Sequence, residues 1–494
     1  MRNAMGIFLA LVLFAPAARP GEFQDDLKAR RARMMEHLGG NTMFVLQSAP
    51  PKVYSKDIEY EYHQDNNFYY LTGIDQEDTT LVLMPGNLHR KEILFIQPKN
   101  PRQEHWTGRV LSKDEAIAQS GIETVYLTTD FDRFIETLLA GENFRVPPKN
   151  EYTADFGPFL NALHEGRARL AVVLDPKPKL AGPPPPALEF ANHLKERFVG
   201  FSVTDAATII TDLRQVKTAY ERKVLERSVE ISNDAQMAGM RAAHPGGFEY
   251  EVKAAIEQVY KNNGAIGWGY PSITGSGPNA TVLHYAKSGR RMDSGELILV
   301  DAAANYQYYT GDITRTYPVN GKYTASQRDI YAIVLDAQRQ AMQVAKAGAK
   351  LRDIHEKTVE VIKAGLLKLG LITDASGDQY RTWYTHGSVH YIGMDVHDVG
   401  NADRPLEPGM AFVIEPGIYI QETALDSMEK TPENNAFIEK VRPAFEKYRN
   451  IGIRIEDSFL LTESGLEHLS ARVPRTIEEV ERFMSGRQAA GGAR

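Results

Sequence analysis

A chain of 494 residues is too long for one ordinary hydrophobic core, so two or more domains are expected. Its 43% hydrophobic and 24% charged content is that of a globular protein and excludes a wholly disordered or fibrous chain. With 64 acidic against 57 basic residues the net charge is −7, so there is no basic footprint for nucleic acid. Cysteine is absent, which removes disulfides, a lipoprotein cysteine and thiolate zinc sites.

The first twenty residues, "MRNAMGIFLALVLFAPAARP", combine Arg2, an apolar run from Met5 to Ala18 and a small-x-small triplet at Ala15-Pro16-Ala17. The pattern predicts a signal peptide over residues 1–18, too short to span a bilayer comfortably, and hence an exported protein without a stable membrane anchor. Residues 22–202 read as an α/β domain. The β-rich runs "NTMFVLQSA", "TTLVLMPG" and "KEILFIQP" end in turn residues and alternate with helical stretches such as "SKDEAIAQSG". The proline-rich "PKPKLAGPPPPALEF" (Pro176 to Phe190) reads as a surface connector, with the domain boundary shortly after it, near Val203.

The second unit, residues 203–485, opens on a helix. Thr218-x-x-Glu221 is a capping box, and Val224, Ser228, Ile231, Ala235 and Ala238 follow at helical spacing. Further on, "SGELILVD" and "PGMAFVIE" repeat one pattern: a Gly, an apolar strand, and a carboxylate six residues after that Gly. A carboxylate closing a buried strand is costly without a partner, so the repeat suggests two half-domains with a charged site between them.

"ELILVDAAANYQYYTGDITRTYPV" reads as a hairpin with its turn near Tyr306 and Gln307. That register sets Asp301 directly opposite Asp312, with Cβ atoms about 5 Å apart, which is destabilising unless a cation lies between them. In "NIGIRIEDSFLLT", Ile451, Ile453 and Ile455 share one face, and Gly452, Arg454 and Glu456 share the other. Arg454 is expected to orient or balance Glu456. By the repeat, Glu456 pairs with Glu415 on a second hairpin. The surplus over the first hairpin falls in Gln421 to Asn450, read as an insertion at the tip, helical from Asn434 to Tyr448 with a break or kink at Pro443, near the site's rim. "YTHGSVHYIGMDVHDVG" holds His386, His390 and His397. The first two have the HxxxH spacing of a helical zinc pair, but Gly387 and Gly393 argue against a helix.

Taken together, "VDAAANYQYYTGDITRTYPVNGKYTASQRDIY", "HGSVHYIGMDVHDVG", "LEPGMAFVIEPGIYI" and "IGIRIEDSFLLTESG" resemble the Xaa-Pro aminopeptidase (aminopeptidase P) and prolidase group of metallopeptidases. "YEYHQDNNFYYLTG" is similar to the signature of that group's N-terminal domain, and "HWTGRVLSKDEA" fits as well. The resemblance covers nearly the whole chain after the signal peptide. It implies an α/β N-terminal domain followed by an α+β pita-bread catalytic domain with pseudo-twofold repeated halves. It implies five metal ligands, Asp301, Asp312, His390, Glu415 and Glu456, holding two divalent ions. Four carboxylates and one imidazole favour Mn²⁺, with Co²⁺ or Zn²⁺ possible.

The resemblance also implies substrate-side roles for His284, His386 and His397, a place beside the metal ligands for Arg454, and a match for Tyr419. Glu415 is the candidate to hold the proton of the attacking water. The implied activity is release of the N-terminal residue from peptides with proline second. The rival readings are a prolidase restricted to Xaa-Pro dipeptides and a non-catalytic pita-bread peptide binder. The short "GNADRPLEPGM" leans away from the prolidases and leaves Arg404 without an assigned role. Relatives assemble, lending residues such as Trp106 to a neighbour, so a homo-oligomer, dimer or tetramer, is expected.

Overall fold

The apolar runs of the first two hundred residues pair into one six-stranded mixed sheet. Its order is Thr124–Leu127, Glu92–Ile96, Thr80–Leu83, Thr42–Gln47, Ala168–Val172 and Phe201–Asp205. The three middle strands pair antiparallel and the outer pairings are parallel. Alternate residues of one strand enter different cores, as the two-residue strand period requires. Met43 and Val45 pack with Phe131, Phe134 and Phe159 under one face. Phe44 and Leu46 enter a second core that continues into Leu225, Val229, Ile313, Val413 and Leu460 of the following domain. The N-terminal sheet therefore shares a core with the rest of the chain.

The computed structural model describes residues 21–144, 153–175 and 179–491. The expected signal peptide lies outside the described residues. Among the described residues no helix is long and apolar enough to cross a membrane. The boundary expected near Val203 falls inside the strand Phe201–Asp205, whose residues pair in register with Ala168–Val172. Its ladder belongs to the N-terminal sheet, so the edge of the domain lies after Asp205.

The remainder is built twice. Each half begins with two long helices, Ala219–Ala242 and Glu249–Asn262 in the first, Ala325–Val344 and Leu351–Leu369 in the second. The first helix of each pair starts at a capping box, Thr218 with Glu221 and Thr324 with Gln327. Each half then forms a carboxylate-bearing hairpin. In the first, Leu297–Asp301 pairs with Thr314–Pro318. In the second, Ala411–Ile414 pairs with Asp457–Thr462 and Gly417–Tyr419 with Gly452–Arg454. This is the pita-bread arrangement with repeated halves.

The insertion does sit at the tip of the second hairpin, but two details differ from expectation. Its helix, Pro432–Tyr448, runs unbroken through Pro443. Phe437, Ile438, Val441, Phe445 and Tyr448 are buried along it, and this packing outweighs the amide hydrogen bond that proline removes. Phe445 stacks on Trp383, and Lys447 and the Tyr448 hydroxyl both reach Asp329, at 3.0 and 2.8 Å. The helix thus lies against Ala325–Val344, and none of its residues lines the central cavity.

Candidate metal centre

Asp301 ends an apolar strand whose five residues are all buried. Its register partner is Thr314, not Asp312. The turn falls at Gln307 and Tyr308, both at positive φ (48° and 70°), one residue later than expected. Non-glycine residues rarely sit in two successive left-handed positions. Tyr308 is held there by the N-terminal domain. Its hydroxyl donates to Asp75 at 2.6 Å and accepts from the Gln64 amide at 2.9 Å, and its ring stacks on Tyr69 at 3.9 Å. A contact more than two hundred residues away in the chain therefore sets the register.

Asp312 falls in the gap before the Thr314–Pro318 strand, where Ser458 of the other half binds its backbone N–H (3.0 Å) and C=O (2.7 Å). In the second hairpin, Ile414 opposes Asp457 and Gly417 opposes Arg454, so the intervening Glu415 and Glu456 face one another as expected. Tyr384 to Gly400 contains no helix. It is tied to the strand Ala411–Ile414 by Val413 N–H to His390 C=O (2.9 Å), and the Glu415 N–H reaches Ser388 C=O (2.8 Å).

These connections bring all five expected ligands together. Ligand atoms of Asp301, Asp312 and Glu456 lie within 4.8 Å of one another, as do those of His390, Glu415 and Glu456. His390 Nε2 is 3.6 Å from both Asp312 and Glu415 and 3.8 Å from Glu456. Its Nδ1 meets the Tyr391 carbonyl at 3.1 Å, which favours the tautomer that leaves Nε2 free to coordinate. The cluster floors a cavity of about 330 Å³, with His284, His386 and His397 in its walls.

The donor set fits a divalent cation on several grounds. Glu456 Oε1 is buried and has no hydrogen-bond partner. Tyr270 has one phenolic proton but is shared by Asp301 (2.6 Å) and Asp312. Burial, then the charges of Glu456 and Asp301, push the Asp312 carboxyl well above the usual range. Burial and then Glu456 push Glu415 up to about 8. A cation among these oxygens would remove each of these penalties.

Arg454 differs from expectation in its partner. It reaches across to Asp301 and donates to the Tyr419 hydroxyl (2.9 Å) and Thr314 Oγ1 (3.0 Å); Thr314 in turn donates to Glu456 at 2.7 Å. The arginine thus balances Asp301 and touches Glu456 only through Thr314. His386 Nε2 meets the Tyr419 hydroxyl at 2.8 Å and its Nδ1 meets the Gly387 carbonyl at 2.6 Å. Burial, then the charge of Arg454, lowers its pKa to about 3, so the ring is neutral. His397 packs edge-on to His390 at 4.4 Å. The next residue, Asp398, is buried between Arg214 (2.6 Å) and Lys217 (2.7 Å), which anchors this loop to the interdomain segment. Arg404 is engaged locally by Glu407.

Sequence reasoning missed Tyr270, Thr314 and Ser458. Thr314 was findable, since it stands two residues after Asp312, and alternation along the hairpin expected from the sequence puts the two on one face. Tyr270, in "WGYPSI", sits in no periodic pattern.

A sequence model of metallopeptidase family M24 matches residues 223–463, and one of the aminopeptidase P N-terminal domain matches residues 27–146. The chain is 31% identical over 474 residues to an Xaa-Pro aminopeptidase of Escherichia coli (strain K12), covering 93% of this chain and 98% of that one. Aminopeptidase P from E. coli with the inhibitor Pro-Leu superposes with a TM-score of 0.78 at 30% identity, covering 94% and 99% of the two chains. The zinc-substituted E. coli enzyme in complex with product gives 0.75 at 30% identity, covering 94% and 98%. The chain therefore belongs to the aminopeptidase P group of metallopeptidase family M24, and it is a metal-dependent hydrolase.

Proposed function

We propose that the chain is a dinuclear exopeptidase that removes the N-terminal residue from peptides carrying proline in the second position. The observation that carries this is the convergence of four buried or half-buried carboxylates on His390, with Glu456 Oε1 left without a hydrogen-bond partner. The ligands are Asp301, Asp312, His390, Glu415 and Glu456. Mn²⁺ suits this oxygen-rich set best, and Co²⁺ or Zn²⁺ substitute for it. Held by these five residues, two such ions would supply Lewis acidity toward a water and the scissile carbonyl.

The chain's own groups do the rest. Glu415, in the cavity beside His390, takes the proton lost by the attacking water. His284 and His397, both exposed to the cavity, donate hydrogen bonds to the developing oxyanion or the substrate backbone. His386 lines the proline side as a neutral ring held by Tyr419 and Gly387, and Arg454 pairs with Asp301. The exposed apolar side chains of the hairpin Val53–Glu59 and of Trp106 (83% exposed) support assembly into a dimer or tetramer. Residues 1–18 direct export.

The test is a panel of peptides on the Mn²⁺-loaded protein. Xaa-Pro-Yaa should be hydrolysed, with Xaa-Ala-Yaa and the dipeptide Xaa-Pro at least tenfold slower. Equal turnover of the alanine peptide overturns the proline preference, and turnover of the dipeptide alone makes the protein a prolidase.

A further inference from the structure

The two halves share a buried side chain that the ligand set does not include. Gln236, on the first helix of the first half, and Gln338, on the first helix of the second, are both fully buried. The Gln236 amide nitrogen donates to the carbonyls of Ala302 (3.2 Å) and Ile313 (2.7 Å). Those residues directly follow Asp301 and Asp312. The Gln338 amide nitrogen donates to the carbonyls of Ile414 (3.0 Å) and Ile455 (3.2 Å), which directly precede Glu415 and Glu456. It also meets Asp457 at 3.0 Å. Each glutamine thus bridges the two strands of one hairpin beside its pair of carboxylates. Among the described residues, each of the four carboxylates is chain neighbour to a carbonyl so held.

The Gln236 amide oxygen is buried with no hydrogen-bond partner, so the side chain is engaged through its nitrogen alone, on the two opposed carbonyls. What the amide contributes is two N–H donors in one plane, which fix the separation of two opposed carbonyls.

We propose that Gln236 and Gln338 are positioning residues, one for each half of the metal centre. Gln236 sets the spacing of Asp301 and Asp312, two of the three groups in one cluster. Gln338 sets that of Glu415 and Glu456, two of the three in the other. This rests on the two-ion reading above. The consequence is that each glutamine governs mainly one of the two metal positions, although Glu456 belongs to both of these clusters and Asp312 also groups with His390 and His397.

Calorimetric titration of the chelator-stripped full chain with Mn²⁺ tests this. Wild type should bind in two steps. Gln236→Met should weaken one step by about tenfold or more, the usual effect of losing a group that orients ligands, and leave the other within about threefold. Gln338→Met should weaken the other step. Gln236→Glu and Gln338→Glu keep the side-chain size and serve if either methionine variant does not fold. Equal weakening of both steps by both variants would mark general loosening of the fold and overturn the proposal, as would unchanged binding. A single step in wild type refutes the two-ion reading instead. The glutamines are then judged on that step: weakening by one variant alone supports a selective role, and weakening by both or neither refutes it.

Discussion

The two carboxylate hairpins do the same work by different means. The first closes in a two-residue turn whose tip, Tyr308, is clamped onto Gln64, Tyr69 and Asp75 of the N-terminal domain. Its register is set from outside, and it leaves Asp301 opposite Thr314. The second closes through an insertion that carries a packed helix, and its register keeps Glu415 opposite Glu456. A duplicated pattern of strand and carboxylate does not therefore impose duplicated pairing. What is common to the halves is the meeting point of the carboxylates, and the buried glutamine amides lie beside it in both.

The comparison breaks most severely if a carboxylate is removed. Asp301→Ala should abolish peptide hydrolysis and lose bound metal in plasma mass spectrometry. His397→Ala should lose most activity yet retain its metal, since the proposed function places His397 at the substrate side although it also groups with Asp312 and His390; metal loss there would contradict that division of roles.

Next in size is the effect of chelation. A carboxyl whose folded pKa is raised binds its proton more tightly in the folded state, so stability is present at low pH and lost as pH rises. For Glu415 the window runs from the unfolded value, about 4.3, to about 8. The urea midpoint of the stripped protein should fall progressively across that window. The Mn²⁺-loaded protein should show no such fall from this group.

Tyr308→Phe should cost about 1–3 kcal/mol, because it leaves the buried Gln64 amide without its acceptor. It should also slow hydrolysis, since it loosens the hairpin that carries Asp301. Pro443→Ala should have the smallest effect on activity. It should stabilise the insertion helix in denaturant unfolding, by up to the roughly 3 kcal/mol that proline costs a helix interior, and leave kcat unchanged, because that tip lies away from the cavity.

Much of this molecule was legible in its sequence because burial of charge is conspicuous. Asp301, Glu415 and Glu456 stand at the ends of, or between, apolar strand segments, and the histidine run is interrupted by Gly387 and Gly393, which argue against a helix. The alternation of Ile451, Ile453 and Ile455 placed Arg454 and Glu456 on one face, and all three isoleucines are buried. The failures share one cause, dependence on distant partners. The first hairpin's turn answers to Asp75, and the edge of the N-terminal domain answers to pairing with Ala168–Val172. Gln236 and Gln338 lie within amphipathic helices, where a buried amide cannot be told from a surface one by spacing.

The most direct test is anomalous diffraction from crystals loaded with Mn²⁺. Two peaks about 3.5–4 Å apart are predicted, enclosed by Asp301, Asp312, His390, Glu415 and Glu456. A single peak, or peaks bound outside these five residues, would contradict the dinuclear centre.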